Sequence, residues 1–310
     1  MIEHAPGVGG RPPLAGLGHP DGEGFLHSPV DVSRFHRKWL DLPYAPASQA
    51  RRLDLYLPES GEGPFPVVMH IHGGGFADGD KRDPHLLPWL MGLSRGFAVA
   101  SVNYRLSGEA SFPAGLQDVK AAIRWLRANS AAYRLDGDRI AACGGSSGGN
   151  FAAMICLTPG VPDLEDPSLG NPDIPCDVQA AVDLFGPTDF LRMDDQLRAA
   201  GLGPADHSRG DSPESRYLGA PITEVPELVR RANPISYIHA DMPPILIQHG
   251  RLDHLVPVGQ SIEFAEELSR RVSPDRFEFE ILETADHADP LFETEANMER
   301  VYRFLDKHLR

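Results

Sequence analysis

The feature that most constrains the fold is the hexapeptide Gly-Gly-Ser-Ser-Gly-Gly at residues 144–149. The apolar run at 139–143 before it is typical of a buried strand, and the run at 150–157 after it is typical of a helix. Glycines around two serines predict a sharp turn in which strand and helix nearly touch, because glycine tolerates unusual dihedral angles and has no Cβ. We therefore expect a strand–turn–helix unit that presents a serine hydroxyl as a nucleophile.

The two serines offer two positions for that nucleophile. Ser146 and Ser147 each have a glycine two residues before and another two residues after. The spacing alone therefore fits both serines. Without further support, a hexapeptide of this kind is also compatible with a flexible turn that has no chemistry.

A second glycine cluster follows another strand-like run. Residues 66–71 are mostly apolar and lead into His72-Gly73-Gly74-Gly75-Phe76. Attack of a serine on a carbonyl group develops negative charge on its oxygen, so backbone N–H donors must be aimed at that oxygen beforehand. Consecutive glycines let the main chain approach a substrate closely. We expect the N–H groups of Gly74 and Gly75 to contribute to an oxyanion hole.

Two candidate partners for the serine follow downstream, each after a strand-like run. Asp253 follows the apolar run 243–250, and His287 follows the alternating run 277–282. In parallel sheets, ligands and catalytic groups gather at the carboxyl ends of the strands. We expect His287 to act as general base and Asp253 to hold the imidazole in the correct tautomer.

Each of these partners has a simpler interpretation when it is taken alone. Asp253 could cap a helix that begins near Val258, and His287 is one of 13 histidines. Asp286 and Asp289 could orient the imidazole instead, although a neighbour in sequence usually points elsewhere. The order of serine, acid and histidine, each at a strand end, favours the catalytic interpretation.

These motifs resemble those of two groups of α/β-hydrolase carboxylesterases, the hormone-sensitive-lipase-like esterases and the feruloyl-esterase-like (BD-FAE-type) esterases. The resemblance covers roughly residues 40–308. The matching residues are His72-Gly73-Gly74-Gly75-Phe76, Asn103-Tyr104-Arg105-Leu106, Phe112-Pro113-Ala114, Asp118, Trp125-Leu126, Gly144-Gly145-Ser146-Ser147-Gly148-Gly149-Asn150, Asp253-His254-Leu255-Val256-Pro257 and His287.

The resemblance implies roles for both serines. The family spacing Gly-x-Ser-x-Gly-Gly implies that Ser146 is the nucleophile and that the N–H of Ser147 is a third oxyanion donor. Gly145 and Ser147 depart from the lipase-like members, which usually carry an acidic residue and an alanine at these positions. Ser147 is nearer to the feruloyl-esterase-like branch.

The fold that the resemblance implies is an α/β-hydrolase fold, with a mostly parallel central sheet, helices on both faces and a small cap. The runs 53–58, 97–102 and 180–185 are typical of strands in such a sheet, the first as an early edge strand. Residues 115–132 have apolar residues at helical spacing, which predicts a crossover helix.

The domain organisation follows from composition along the chain. Residues 1–33 are rich in glycine and proline, which predicts an N-terminal arm before a single domain at 34–310. The long connection at 186–238 predicts a cap-like insertion, polar and poor in helix up to Pro213. Phe190, Leu191 and Met193 are candidates for an acyl pocket, although buried packing is their simpler role.

Composition limits the classes of partner. The net charge of −15 argues against nucleic acids and anionic membranes, which require basic surfaces. No run of 18 apolar residues predicts a transmembrane helix, and the first residues lack the pattern of a signal peptide. The three cysteines show no metal-binding spacing. We expect a reduced, cytoplasmic protein that needs no metal or organic cofactor; a homodimer is left open.

The sequence therefore predicts a serine carboxylesterase that hydrolyses short-chain or small aryl esters through an acyl-enzyme. Charged residues in the connection at 186–238 suit a solvated surface rather than a lipase lid, which favours short acyl chains. Two alternatives stay open. An amidase-like arylformamidase would use the same residues on an activated amide, and a hydrolase-fold binding protein would hold a small ligand without turnover.

Overall fold

The computed structural model describes residues 29–310, so the arm predicted at 1–33 lies almost entirely outside the described residues. The described chain forms an eight-stranded sheet in the order β1-β2-β4-β3-β5-β6-β7-β8. The strands are β1 Lys38–Pro43, β2 Arg52–Tyr56, β3 Phe65–Ile71, β4 Ala98–Val102, β5 Leu135–Gly145, β6 Ala180–Leu184, β7 Ile245–Gly250 and β8 Phe277–Leu282. Strand β2 is antiparallel to both of its neighbours, β1 and β4, and all other pairs are parallel.

Helices connect most of these strands. Those in the described part of the chain are α1 Leu86–Trp89, α2 Ala114–Ala128, α3 Ser130–Tyr133, α4 Ser147–Leu157, α5 Met193–Ala200, α6 Pro213–Leu218, α7 Pro226–Ala232, α8 Gly259–Arg271 and α9 Glu295–Leu309. The predicted crossover helix is α2, which ends at Ala128. The last residues of the predicted range, 130–132, belong to a separate short helix, α3.

Both faces of the sheet are covered, which explains why the central strands are apolar throughout. Successive residues of a strand point to opposite faces. Val67 and Met69 of β3 accordingly pack with α2 and α4, whereas Val68 packs with α1 and α9 on the other face. Helix α8 covers β7 through Phe264 and Leu268. The prediction of a mostly parallel sheet with helices on both faces is confirmed.

Two sequence predictions about the sheet and its connections are wrong. The run 53–58 is not an edge strand, because β1 pairs along its outer side. The connection before Pro213 is not poor in helix, because α5 occupies Met193–Ala200. Helix α5 is anchored by Met193 and Leu197, which are fully buried one turn apart.

The segment between β6 and β7 lies at the carboxyl end of the sheet. It carries α5, α6 and α7, and we refer to residues 186–238 as the β6–β7 segment. Its Tyr217 stacks on Phe76, with ring centroids 3.9 Å apart, and Phe190 meets the same ring edge to face. The segment is thus packed directly on the loop that follows β3.

The cysteine residues lie in the core of the sheet and its helices. Cys143 and Cys156 are free thiols in core elements, as predicted, and burial raises the pKa of Cys156 to about 12. Within residues 29–310, no helix is both long enough and apolar enough to cross a membrane.

Candidate active site

The turn between β5 and α4 is as sharp as the glycine pattern predicts. Ser146 lies in the turn with φ 57° and ψ −126°, a strained conformation for a residue with a side chain. A Cβ on Gly148 would lie 2.1 Å from the carbonyl oxygen of Ile71, and a Cβ on Gly144 would lie 2.5 Å from Gly148. Strand β3, strand β5 and helix α4 therefore meet at a distance that only glycine permits.

Three predicted residues come together at this turn. The Nε2 atom of His287 lies 3.0 Å from Oγ of Ser146, and its Nδ1 atom lies 2.8 Å from Oδ2 of Asp253. Ser146 follows β5, Asp253 follows β7 and His287 follows β8, so each residue lies just beyond the carboxyl end of a parallel strand. Both distances are within the range of a hydrogen bond, as expected for a nucleophile, a base and an orienting acid.

Ser147 does not share this arrangement. It is the first residue of α4 and is buried, whereas Ser146 is only partly buried. The Ser147 hydroxyl lies near the Tyr104 hydroxyl, whereas the contact with the His287 ring is made by Oγ of Ser146. Of the two serines that the spacing allows, the structure therefore brings Ser146 to the histidine, and Ser147 offers its backbone N–H at the start of a helix.

The Asp253 carboxylate is fully buried and heavily hydrogen-bonded. Its Oδ1 atom accepts hydrogen bonds from the N–H groups of Leu255, at 2.9 Å, and Val256, at 2.8 Å. Burial alone would raise the pKa of Asp253, but the neighbouring His287 and His249 outweigh burial and hold this pKa well below its ordinary value. The acid therefore stays ionised, and it does not cap α8, which begins at Gly259.

The alternative orienting acids face other groups. Oδ1 of Asp286 lies 2.7 Å from Nδ1 of His254 and accepts the backbone N–H of His287 at 2.6 Å. Asp289 caps a short helical turn by accepting the N–H of Leu291 at 2.9 Å. The carboxylate on the His287 ring is thus that of Asp253, and Asp286 holds the main chain of the same loop.

The glycine loop after β3 is folded back on itself. Gly74 and Gly75 have φ values of 109° and 59°, and a Cβ on Gly74 would lie 2.2 Å from the carbonyl oxygen of Asp78. His72 supports the loop from below: its ring stacks on Tyr104, with centroids 4.4 Å apart, and its Nδ1–H donates to the carbonyl oxygen of Gly73 at 2.8 Å. Donation to an oxyanion by Gly74, Gly75 and Ser147 stays a prediction.

Two walls of the site come from residues that the sequence analysis did not select. Phe185 directly follows β6 and has φ 45°, and its ring lies against that of His287, with centroids 5.0 Å apart. A Cβ on Gly75 would lie 3.2 Å from Cβ of Pro213, so α6 covers the glycine loop. The site is therefore bounded by the residue after β6 on the side of His287 and by the β6–β7 segment on the side of the glycine loop.

The residues proposed for an acyl pocket divide into two groups. Phe190 and Met193 are fully buried in the main core, which agrees with a packing role, whereas Leu191 is 37% exposed.

His249 is a further residue that the sequence analysis did not identify. It contacts Asp253, but it is one of 13 histidines and no sequence pattern distinguishes it from the others. Among residues 29–310, no group of three or more histidine, cysteine or acidic side chains is arranged to hold a metal ion.

The chain is similar to several ester hydrolases. Residues 53–268 match the BD-FAE family. The chain is 31% identical over 266 residues to the probable carboxylic ester hydrolase LipM of Mycobacterium tuberculosis. The matched region covers 84% of this chain and 59% of LipM. The chain therefore spans about three fifths of the length of that relative, and the same holds for the esterase LipQ of M. tuberculosis.

Two solved structures superpose closely on the chain. A truncated carbohydrate esterase from gut microbiota has a TM-score of 0.80 at 28% identity, covering 91% of this chain and 99% of that one. A bifunctional GH43-CE protein of Bacteroides eggerthii also has a TM-score of 0.80, at 33% identity over 88% of this chain and 35% of that one. The α/β-hydrolase fold is thereby confirmed, and the chain belongs to the BD-FAE family.

Proposed function

We propose that this protein is a serine carboxylesterase that hydrolyses short-chain or small aryl esters through an acyl-enzyme. The observation that carries the proposal is the relay from Ser146 Oγ through the His287 ring to Asp253, with contacts of 3.0 and 2.8 Å. Homology to carboxylic ester hydrolases supports the same reaction class.

The proposed first half-reaction begins at the strained turn. Oγ of Ser146 attacks the ester carbonyl carbon while Nε2 of His287 takes the hydroxyl proton. Asp253 stabilises the resulting imidazolium through Nδ1–H. The imidazolium then gives its proton to the leaving alcohol, the ester C–O bond breaks, and the acyl group stays on Ser146.

The second half-reaction repeats these steps with water. His287 takes a proton from the attacking water molecule as the oxygen of that water bonds to the acyl carbon. The imidazolium then returns the proton to Oγ of Ser146, the bond between the acyl carbon and Oγ breaks, and the carboxylic acid leaves. In both steps we assign the oxyanion to the N–H groups of Gly74, Gly75 and Ser147, which belong to the glycine loop after β3 and to the first residue of α4. No metal or organic cofactor takes part in this scheme.

Crowding around the serine supports a small acyl group. Pro213 lies over Gly75, and Phe185 lies against His287. Phe190 and Met193 are already used in the core and do not open a long apolar channel. We therefore expect acetate to about hexanoate esters to be preferred, with no activation at an oil–water interface.

The experiment that tests the nucleophile compares two adjacent serines. Ser146→Ala should lower kcat on p-nitrophenyl acetate by about 10⁴-fold or more, because the three residues act as a unit. Ser147→Ala is the matched control and should retain most activity, since its N–H is unchanged. Mass spectrometry after treatment with an organophosphate should find the adduct on Ser146. An adduct on Ser147, or equal loss in both variants, would refute the assignment.

A substrate panel tests the reaction class and the alcohol side. It should include p-nitrophenyl esters from acetate to palmitate, a feruloyl ester, a formanilide and an acetylated saccharide. The saccharide is included because one of the similar solved structures is a carbohydrate esterase. Faster hydrolysis of palmitate than of butyrate would contradict the small acyl site. A preference for the formanilide would favour the arylformamidase alternative, and the absence of any product would favour the binding protein.

A further inference from the structure

A second histidine lies beside the Asp253 carboxylate. His249 is fully buried near the end of β7, four residues before Asp253. Its Nε2 atom lies 3.3 Å from Oδ2 of Asp253 and 2.9 Å from the carbonyl oxygen of Val256. Its Nδ1 atom lies 2.6 Å from Oγ of Ser261 on α8. The reaction scheme above gives this ring no task.

The atoms around the His249 ring determine which nitrogen carries the proton. A carboxylate and a carbonyl oxygen can only accept hydrogen bonds, so Nε2 must be protonated to face both of them. The hydroxyl of Ser261 can donate to Nδ1, so these contacts match the tautomer that carries its proton on Nε2. His249 therefore presents one N–H that is shared between Asp253 and Val256.

The Oδ2 atom of Asp253 is consequently shared between two imidazoles. It accepts from Nδ1 of His287 at 2.8 Å and faces Nε2 of His249 at 3.3 Å, while Oδ1 is occupied by backbone N–H groups. Asp183, a buried carboxyl on the neighbouring strand β6, is a further charged group that faces His249. The Asp253 oxygen that hydrogen-bonds to His287 is thus also contacted by His249, which does not belong to the predicted group of Ser146, Asp253 and His287.

We propose that His249 is a positioning residue, whose Nε2–H fixes the Asp253 carboxylate and limits how strongly Oδ2 binds His287. The inference rests on the proposed function of Asp253 as the orienting acid. When His287 gains a proton, its hydrogen bond to Oδ2 strengthens, and the shared N–H of His249 shifts toward the Val256 carbonyl oxygen. The carboxylate can then respond to the new charge without moving.

Two variants of matched polarity separate donation from packing. In His249→Gln the side-chain amide N–H can reach the position of Nε2, whereas in His249→Asn the shorter amide reaches only the position of Nδ1. We expect His249→Asn to lower kcat for p-nitrophenyl acetate by about ten- to hundredfold, with little change in KM. His249→Gln should recover most of this loss.

The pH profile gives a readout that packing alone would not move. Without the Nε2–H donor, Oδ2 keeps more negative charge for His287 and stabilises its protonated form. The acid limb of kcat/KM should therefore move to higher pH in His249→Asn and stay near the wild-type position in His249→Gln. The deshielded proton between His287 and Asp253 should move downfield in the ¹H NMR spectrum of His249→Asn alone.

A buried histidine elsewhere in the sheet provides the control. His70 on β3 is also buried and bonds a serine, with Nδ1 3.0 Å from Oγ of Ser101, but it does not face Asp253. His70→Asn should leave both the acid limb and the NMR proton unchanged. Equal losses in His249→Gln and His249→Asn, of kcat or of folded protein, would show that packing is the role and would overturn the inference.

The NMR measurement also separates this inference from the proposed function. The proton between His287 and Asp253 is observed without substrate, so it reports on the acid even in a protein that hydrolyses no ester. An inactive wild-type protein would refute the esterase proposal, whereas an unmoved proton in His249→Asn would refute the role of His249.

Discussion

A buried ion pair inside the β6–β7 segment supports the contact between this segment and the loop at 253–256, and the strength of the pair depends on pH. Nδ1 of His207 lies 3.0 Å from Oε2 of Glu214, and both side chains are about 95% buried. Nε2–H of His207 donates to the carbonyl oxygen of Leu255, two residues after Asp253, at 2.9 Å. Glu214→Gln keeps the size of the side chain and removes the charge, so it tests this connection directly.

The size and sign of the effect follow from the pKa of His207. Burial alone would lower this pKa, but the hydrogen bond and charge of Glu214 outweigh burial and raise it from 6.5 to about 9. At about 1.4 kcal/mol per pKa unit, the rise corresponds to about 3 kcal/mol. Because the folded-state pKa is the higher one, this stabilisation is complete below pH 6.5 and is lost as the pH rises toward 9.

Denaturant unfolding at two pH values measures the prediction. Glu214→Gln should lower the free energy of unfolding by about 3 kcal/mol at about pH 6 and by little at about pH 10. Comparing variant with wild type at each pH cancels the titration of all other groups. The control is Glu59→Gln, since Glu59 faces the exposed His36 at 3.5 Å and should show no comparable pH dependence. A loss that is equal at both pH values, or larger at about pH 10, would refute the reasoning.

Three further predictions concern the site itself. Asp253→Asn should lower kcat by about 10⁴-fold with the fold intact, and Asp286→Asn should be milder; near wild-type turnover in Asp253→Asn would contradict the assignment. Gly148→Ala should unfold at much lower denaturant than wild type, because its Cβ would overlap the Ile71 carbonyl oxygen, whereas Gly108→Ala has open space and should be neutral. Ester hydrolysis should persist in the presence of EDTA. If EDTA abolished the activity and zinc restored it, the roles assigned to Ser146, His287 and Asp253 would be wrong.

The turn at Ser146 could be predicted because the glycines in the local sequence determine its geometry. Close approach of β3, β5 and α4 requires residues without a Cβ, and glycine is the only such residue. The choice between Ser146 and Ser147 could not be made in this way, because both serines have glycines at the same spacing. That choice came from the family resemblance, and the structure brings His287 to Ser146.

The edge of the sheet could not be predicted, because β1 lacks the alternation that marks a half-buried strand. Its residues are mostly exposed, its register shifts between Trp39 and Leu42, and Asp41 has φ 57°. Helix α5 escaped notice for a similar reason. Only Met193 and Leu197 anchor it firmly in the core, which is too few apolar residues to stand out from a polar segment.

The contacts that surround the acid depend on tertiary structure alone. His249 and His207 approach the loop at 253–256 from β7 and from the β6–β7 segment, respectively. Neither residue belongs to a local pattern, and 13 histidines offer no way to select two. Ser146, Asp253 and His287 could therefore be predicted from motifs, whereas the residues that contact the loop at 253–256 could be identified only in the folded chain.

The short helix α6 connects the glycine loop after β3 to the loop at 253–256. Its Pro213 covers Gly75 of the glycine loop, and the next residue, Glu214, binds His207, which in turn holds the carbonyl oxygen of Leu255. A substitution that moved α6 to enlarge the proposed acyl site would therefore disturb the glycine loop after β3 and the loop at 253–256 together. Such variants should change kcat and KM at the same time, because the wall of the pocket and the support of the catalytic residues are the same element.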